Sequence, residues 1–341
     1  MVVRRLLVLI VGVVVVVLGG SAAVAAWAGT RASDYFLYSP QAAVEIGPYV
    51  DVPGEPPDAR RGDPALLLVA VQVRRASLLD RWLGDDEPGV DLVPEEKVIP
   101  PGHDDEDLGR QGRILMRSSQ QNAAVVAERA LGKKVEIRAI ARIAAFGPDS
   151  PAERAGLREG DEIVEARGRT VRDLDDLRRA LEGVRPGERV TLAYRRGADR
   201  GTAEVATAPN PDDPKRAVLG VIIAPAEAKL PIPVRYETEG VGGPSAGLGF
   251  ALEIYSALAK RSVVRGHRVA VTGEILMDGT VAPIGGIKQK TFGATDADAD
   301  VFLVPEENAA EARRWAEDGL RIVPVGTFAE ALDALAELPA A

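Results

Sequence analysis

The sequence predicts a mixed α/β (α+β) protein: an N-terminal membrane-spanning helix, a small β-rich domain, and a C-terminal domain of alternating helices and strands. Three observations carry this. Residues 6–30 hold no charge, residues 133–209 set short apolar runs between glycine turns, and residues 240–338 alternate a long helical pattern with strand-like runs. With 341 residues, 46% hydrophobic and 27% charged, the chain is long enough for about two domains and too apolar to be disordered. The absence of cysteine excludes disulfide frameworks, thiolate metal sites, cysteine nucleophiles and lipidated cysteine. Two histidines leave little for a histidine metal cage, and a formal charge of −9 argues against nucleic-acid binding.

The apolar run follows Arg4 and Arg5 and is long enough, at 1.5 Å per residue, to cross about 30 Å of hydrocarbon. Arginines before the run favour a cytoplasmic N-terminus, with the C-terminal domains extracytoplasmic on a single-pass cell-membrane protein. The alternative is a cleaved signal peptide, since SAAVAAWA at 21–28 has the small residues of a signal-peptidase site. Trp27, Tyr35, Phe36 and Tyr38 suit either the outer membrane interface or ordinary packing.

The boundaries are 1–30 for the anchor, 31–132 for an N-terminal extracytoplasmic region, 133–210 for the β-rich domain and 215–341 for the C-terminal domain. In the second of these, residues 66–73 alternate as a strand, the acidic stretch 85–107 reads as a solvated loop containing His103, and residues 118–131 read as a helix stopped by Gly132. No role is assigned to His103.

In the β-rich domain, residues 135–146 form a β-like run that enters Ser150-Pro151-Ala152-Glu153, where Ser caps a helix and Pro suits its first position. A second helix spans residues 173–181, and strands lie near 190–194 and 203–207. The stretch SPAERAGLREGDEIVEARGRTV resembles the PDZ domain of exported bacterial proteases. The resemblance implies that a chain end or extended segment docks by strand addition between the strand near 137–144 and the helix 173–181. GLGF at 247–250 looks like the family's carboxylate loop but falls within a helical pattern a hundred residues too late.

The chemistry begins at GVGGPSAGLGF, 240–250, a glycine turn feeding a helix with Leu248, Ala251, Leu252 and Tyr255 on its apolar face. Ser245 stands where the turn becomes the helix. There it is either an N-cap or a nucleophile whose oxyanion is held by free backbone amides near Ser245 and Ala246, with Gly243 letting a substrate backbone approach. A nucleophile needs a base. His267 sits between arginines with no adjacent carboxylate, whereas a desolvated lysine can take the hydroxyl proton. In PIGGIKQKTFGA, 283–294, a helix starting near Gly286 places Lys288 and Lys290 about 200° apart, so that Ile287, Lys290 and Ala294 share the buried face and Lys288 meets solvent.

GPSAG at 243–247, TGE at 272–274 and PIGGIKQK at 283–290, followed by VFLVPEEN at 301–308, resemble the proteolytic domain of the Lon family of serine-lysine peptidases. The resemblance covers about 217–338 and implies Ser245 as nucleophile, Lys290 as general base and Thr272 as a support for the lysine amine. It departs from the commonest Lon pattern in having Val241-Gly242 where Lys-Asp precedes Gly-Pro-Ser. No Gly-x-x-x-x-Gly-Lys-Ser/Thr phosphate loop occurs. The arrangement resembles the membrane-anchored, PDZ-containing Lon-like proteases of bacteria, the YlbL family. It implies an ATP-independent serine endopeptidase with no cofactor and no metal, acting on unfolded or flexible protein substrates, with homo-oligomers implied by the resemblance alone. The competing reading is a catalytically silent membrane-anchored adaptor that binds peptide termini.

Overall fold

The computed structural model describes residues 26–54, 64–83, 87–99, 105–138, 141–147, 149–172, 174–210, 214–224, 227–238 and 242–339. Most of the expected membrane segment, and His103, lie outside them. Among the described residues, no helix is long and apolar enough to cross a membrane.

In chain order the larger unit opens with β1 (Ala32–Glu45), β2 (Leu66–Ser77), β3 (Asp91–Pro94) and helix α1 (Asp105–Ala130). The smaller unit contributes β4 (Ile143–Phe146), β5 (Glu162–Ala166), β6 (Arg169–Thr170), α2 (Leu174–Leu181), β7 (Arg189–Arg196), β8 (Asp199–Ala206) and β9 (Val221–Ile223). The chain then returns to the larger unit with α3 (Gly247–Ala259), β10 (Val269–Val271), β11 (Glu274–Ile275), β12 (Val281–Ala282), α4 (Ile287–Asp296), β13 (Val301–Pro305), α5 (Ala309–Trp315), β14 (Arg321–Val325) and α6 (Phe328–Ala336).

One six-stranded mixed sheet organises the larger unit, in the order β14-β13-β10-β2-β1-β3. Residues 31–132 therefore share a sheet with residues 215–341. β2 runs parallel to β10, with Leu66 opposite Val269 and Leu68 opposite Val271, and antiparallel to β1. Both faces are buried, which explains the nearly continuous apolar runs LLLVAV, VAV and VFLV. Leu66, Leu68, Val269, Val271, Val301 and Leu303 pack against α1, α3 and α6, while Leu67, Val69, Ala270, Phe302 and Val304 face α4 and α5. Fully buried side chains such as Phe250 and Phe302 each contribute about 1.5–3 kcal/mol of transfer free energy.

Two expectations from the sequence need correction. The acidic stretch is only partly loop: Asp91–Pro94 is an edge strand, and α1 begins at Asp105 rather than near 118. Asp105, Glu106 and Asp107 occupy the first turn of α1, where carboxylates complement the positive end of the helix dipole. The aromatic cluster also divides. Phe36 is buried and Tyr38 half-buried within the sheet, while Trp27 stays exposed.

In the smaller unit, β8-β7-β5-β6 form a sheet over a core that includes Ile143, Leu157, Ile163, Leu177, Leu192 and Val205. Ser150 caps its short helix by accepting from the Glu153 amide, as expected. The strand expected to receive a docked peptide has no room for one at Ile143. Its amide donates to Asp161 O at 2.8 Å, and on the other side β4 pairs with β9. β9 itself pairs with β4 alone among the described residues, and Val221 and Ile223 lie half-buried on the same core as Leu181 of α2. The two units are joined by an antiparallel neck in which Glu136–Arg138 pairs with Glu227–Lys229.

Candidate active site

The loop before α3 turns sharply at Gly243, whose φ of +85° suits glycine, and the Gly243 amide is fixed by Gly112 O of α1 at 3.0 Å. Ser245 follows, half-buried and two residues ahead of α3. The residue at the cap position before that helix, Ala246, provides no side-chain cap, and Ser245 Oγ is bonded elsewhere. The serine hydroxyl is engaged instead by Lys290.

Lys290 lies on the inner face of α4 with Ile287 and Ala294, as the stripe predicts, and is 3% exposed. Its Nζ lies 2.7 Å from Ser245 Oγ, 3.2 Å from Thr272 Oγ1 and 3.3 Å from Val69 O. Desolvation alone pushes its pKa down to about 7. A neutral amine carries two N–H bonds and one lone pair. The threonine oxygen and the Val69 carbonyl match the two donors, leaving the lone pair for the serine O–H. Thr272 Oγ1 in turn donates to Ser245 O at 3.3 Å, and the Gly273 amide donates to the same carbonyl at 2.9 Å.

The structure thus brings Ser245, Lys290 and Thr272 together, with Ala246 and Gly243 in the adjoining backbone. His267 is elsewhere: its ring contacts Pro339 O at 2.9 Å and Asp300 at 3.4 Å. Lys288 departs from the expected solvent exposure. It is half-buried, bonded to Asp91 Oδ1 at 2.7 Å and lying 4.8 Å from the Trp315 ring centroid, while Gln289 Nε2 donates to Asp91 Oδ2 at 2.6 Å. Asp91, Val69 and Ser119, discussed below, are site neighbours that the sequence did not single out. The alternation of residues 66–73 marked a strand but gave no sign of which backbone carbonyl meets the lysine.

A cleft of about 410 Å³ opens over the pair. One wall is the stretch Val69–Val73 of β2, which has run past its parallel partner β10 and keeps one edge unpaired among the described residues. The other wall is the Gly242–Ala246 loop, and Pro283–Gly286 closes the base.

Residues 237–337 match the family model for the Lon protease (S16) C-terminal proteolytic domain, and residues 114–207 match that for the PDZ domain. The chain is 38% identical over 94 residues to the Lon protease of Mesomycoplasma hyopneumoniae, across 27% of this chain and 11% of that protein. It is 32% identical over 226 residues to Lon protease 1 of Sorangium cellulosum, across 59% of this chain and 26% of that protein. It therefore spans only about a tenth to a quarter of the length of these relatives. Among solved structures, the PDZ domain of the SdrC-like protein from Listeria monocytogenes is similar at 18% identity and a TM-score of 0.23, covering 27% of this chain and 93% of that one. The chain carries a Lon-type proteolytic domain and a PDZ domain.

Proposed function

We propose that the protein is an ATP-independent, membrane-anchored serine endopeptidase that cleaves extracytoplasmic protein substrates through a Ser245–Lys290 dyad, as in the PDZ-containing Lon-like proteases it resembles. The observation that carries this reading is the 2.7 Å contact between the serine hydroxyl and an amine buried enough to be neutral near pH 7. Lys290 takes the proton from Ser245 Oγ as that oxygen attacks the scissile carbonyl. The oxyanion forms beside the Ser245 and Ala246 amides. The ammonium then returns its proton to the leaving amine, and a water, deprotonated by the same lysine, hydrolyses the ester.

The unpaired edge of β2 along the cleft fits an extended chain lying beside it, which favours unfolded or flexible segments as substrate. The PDZ domain would bind such segments or restrain the site, with β9 and α2 forming the groove. Single-pass anchoring and an extracytoplasmic location rest on the charge-free run behind Arg4 and Arg5. ATP independence rests on the lack of a phosphate-binding loop motif in this sequence.

The deciding experiment compares cleavage of an unstructured protein by the full chain and by Ser245→Ala. Loss of cleavage in the folded variant is expected. Equal cleavage by both would remove the dyad and leave the adaptor reading in its place.

A further inference from the structure

Two consecutive peptide planes surround the nucleophile, and each has its carbonyl clamped. Ser245 O, in the plane that contains the Ala246 N–H, is held by the Gly273 amide and by Thr272 Oγ1. Pro244 O, in the plane that contains the Ser245 N–H, accepts the Gly247 amide at 3.2 Å and, at shorter range, a hydroxyl from α1. Ser119 of α1, 1% exposed, donates its hydroxyl to Pro244 O at 2.8 Å across 125 residues of chain. Gly247 makes room for that hydroxyl: a Cβ there would stand 2.6 Å from Ser119 Oγ.

A trans peptide plane sends its C=O and N–H in opposite directions. Holding both carbonyls on the core side therefore aims both amides away from it, toward the cleft lined by Pro244, Ser245 and Ala246. An oxyanion donor is effective to the extent that it is already oriented when charge develops. Pro244 cannot add an amide of its own to hold the turn.

We propose that Ser119 is a positioning residue for catalysis: by anchoring the Pro244 carbonyl it fixes the Ser245 amide as an oxyanion donor. This rests on the reading of Ser245 as nucleophile. Ser119 touches neither the substrate nor the reacting atoms, and its contribution appears only as the tetrahedral oxyanion forms.

The test uses the full chain and Ser119→Ala, assayed with a peptide substrate over a pH series and with a peptide boronate that forms a tetrahedral adduct on serine. Removing an oxyanion donor outright costs about 10²–10³ in kcat, so loosening one should cost about 10- to 100-fold. KM should stay within about twofold of the parent, as befits an interaction made only in the transition state. Boronate affinity should fall by about the same factor as kcat/KM. The pH midpoint should not move, because the surroundings of the lysine are untouched. A merely structural role would alter KM or the melting temperature without this pairing of kcat and boronate affinity. Unchanged kcat in Ser119→Ala, or reduced kcat with boronate affinity intact, overturns the inference. If Ser119→Ala does not fold, Ser119→Cys, of similar size but a weak donor, must show the paired loss, and full activity in it is equally fatal. Activity surviving in Ser245→Ala would mean that the dyad reading has failed. A dead Ser245→Ala beside an unimpaired Ser119→Ala would refute the role of Ser119 alone.

Discussion

Lys290 can serve as a base only while uncharged, and its environment sets the pH at which that happens. With burial holding the amine near 7, turnover should climb about tenfold per pH unit below that point and level off above it. Lys290→Ala and Lys290→Arg should both lie flat at background, the latter because a guanidinium keeps its proton. His267→Ala should follow the parent curve. Stability depends on the same side chain over a different, higher window of pH. Between about pH 7 and the free-amine value near 10.4, the unfolded chain binds the proton that the folded chain has released, so folding strengthens as pH rises through that window. Lys290→Met, free of the buried amine, should melt above the parent at pH 7, with the gap closing toward pH 10. A gap that widens with pH in calorimetry would contradict the assigned cause of the shift. The inward lysine was legible because Ile287 and Ala294 share its stripe, and Ser245 because glycines crowd the turn before a helix. Ser119 was not, since its partner lies 125 residues away and nothing local distinguishes it from the serine before it.

Among the elements, α4 depends on a neighbour that sequence periodicity does not reveal. The edge strand β3 presents Asp91 to two successive side chains of its first turn, Lys288 and Gln289, directly before the base. Asp91→Ala releases both at once. The pair is partly solvated, so the loss should be about 1–2 kcal/mol, a melting shift of a few degrees, with a severalfold drop in turnover. Lys288→Ala removes the ion pair and the Trp315 contact but leaves Gln289 bonded to Asp91, and should cost less in turnover. A Lys288→Ala variant that is dead while Asp91→Ala is normal would show that the first lysine acts in the chemistry itself. Acidic composition made β3 look like a loop, because an edge strand with one partner can carry charges that a central strand could not. The strands of the core were plain for the converse reason, being buried on both faces.

At the scale of the molecule, the proteolytic unit is discontinuous. A fragment of residues 215–341 lacks β1, β2, β3 and α1, and therefore half of the sheet and the Val69 carbonyl; it should show no cooperative unfolding transition and no turnover. Removing the PDZ domain is geometrically simple by contrast. Arg138 and Glu227 are direct partners in the neck, so replacing residues 139–226 with Asn-Gly closes a hairpin where the chain now leaves for the domain. That protein should fold and cleave short peptides at near-parent rates, with the loss confined to long chains if the domain delivers substrate. Faster cleavage of short peptides would instead identify the domain as a restraint. The motifs revealed the C-terminal half of this unit and nothing of its first half, because strand pairing over such distances leaves no local periodicity.

The contact between Lys290 and Val69 joins residues 221 positions apart, and β2 reaches its parallel neighbour only after the whole inserted domain has been made. During synthesis, β1, β2 and β3 can pair with one another, but the other edge of β2 must wait for β10 at residues 269–271, which makes completion of the sheet slow and late. Ser245, Lys290 and the Val69 carbonyl are thus kept apart until residue 290 has been made. On the proposed mechanism, a nascent copy has no competent site with which to cut its own unfolded segments or those of its neighbours until then.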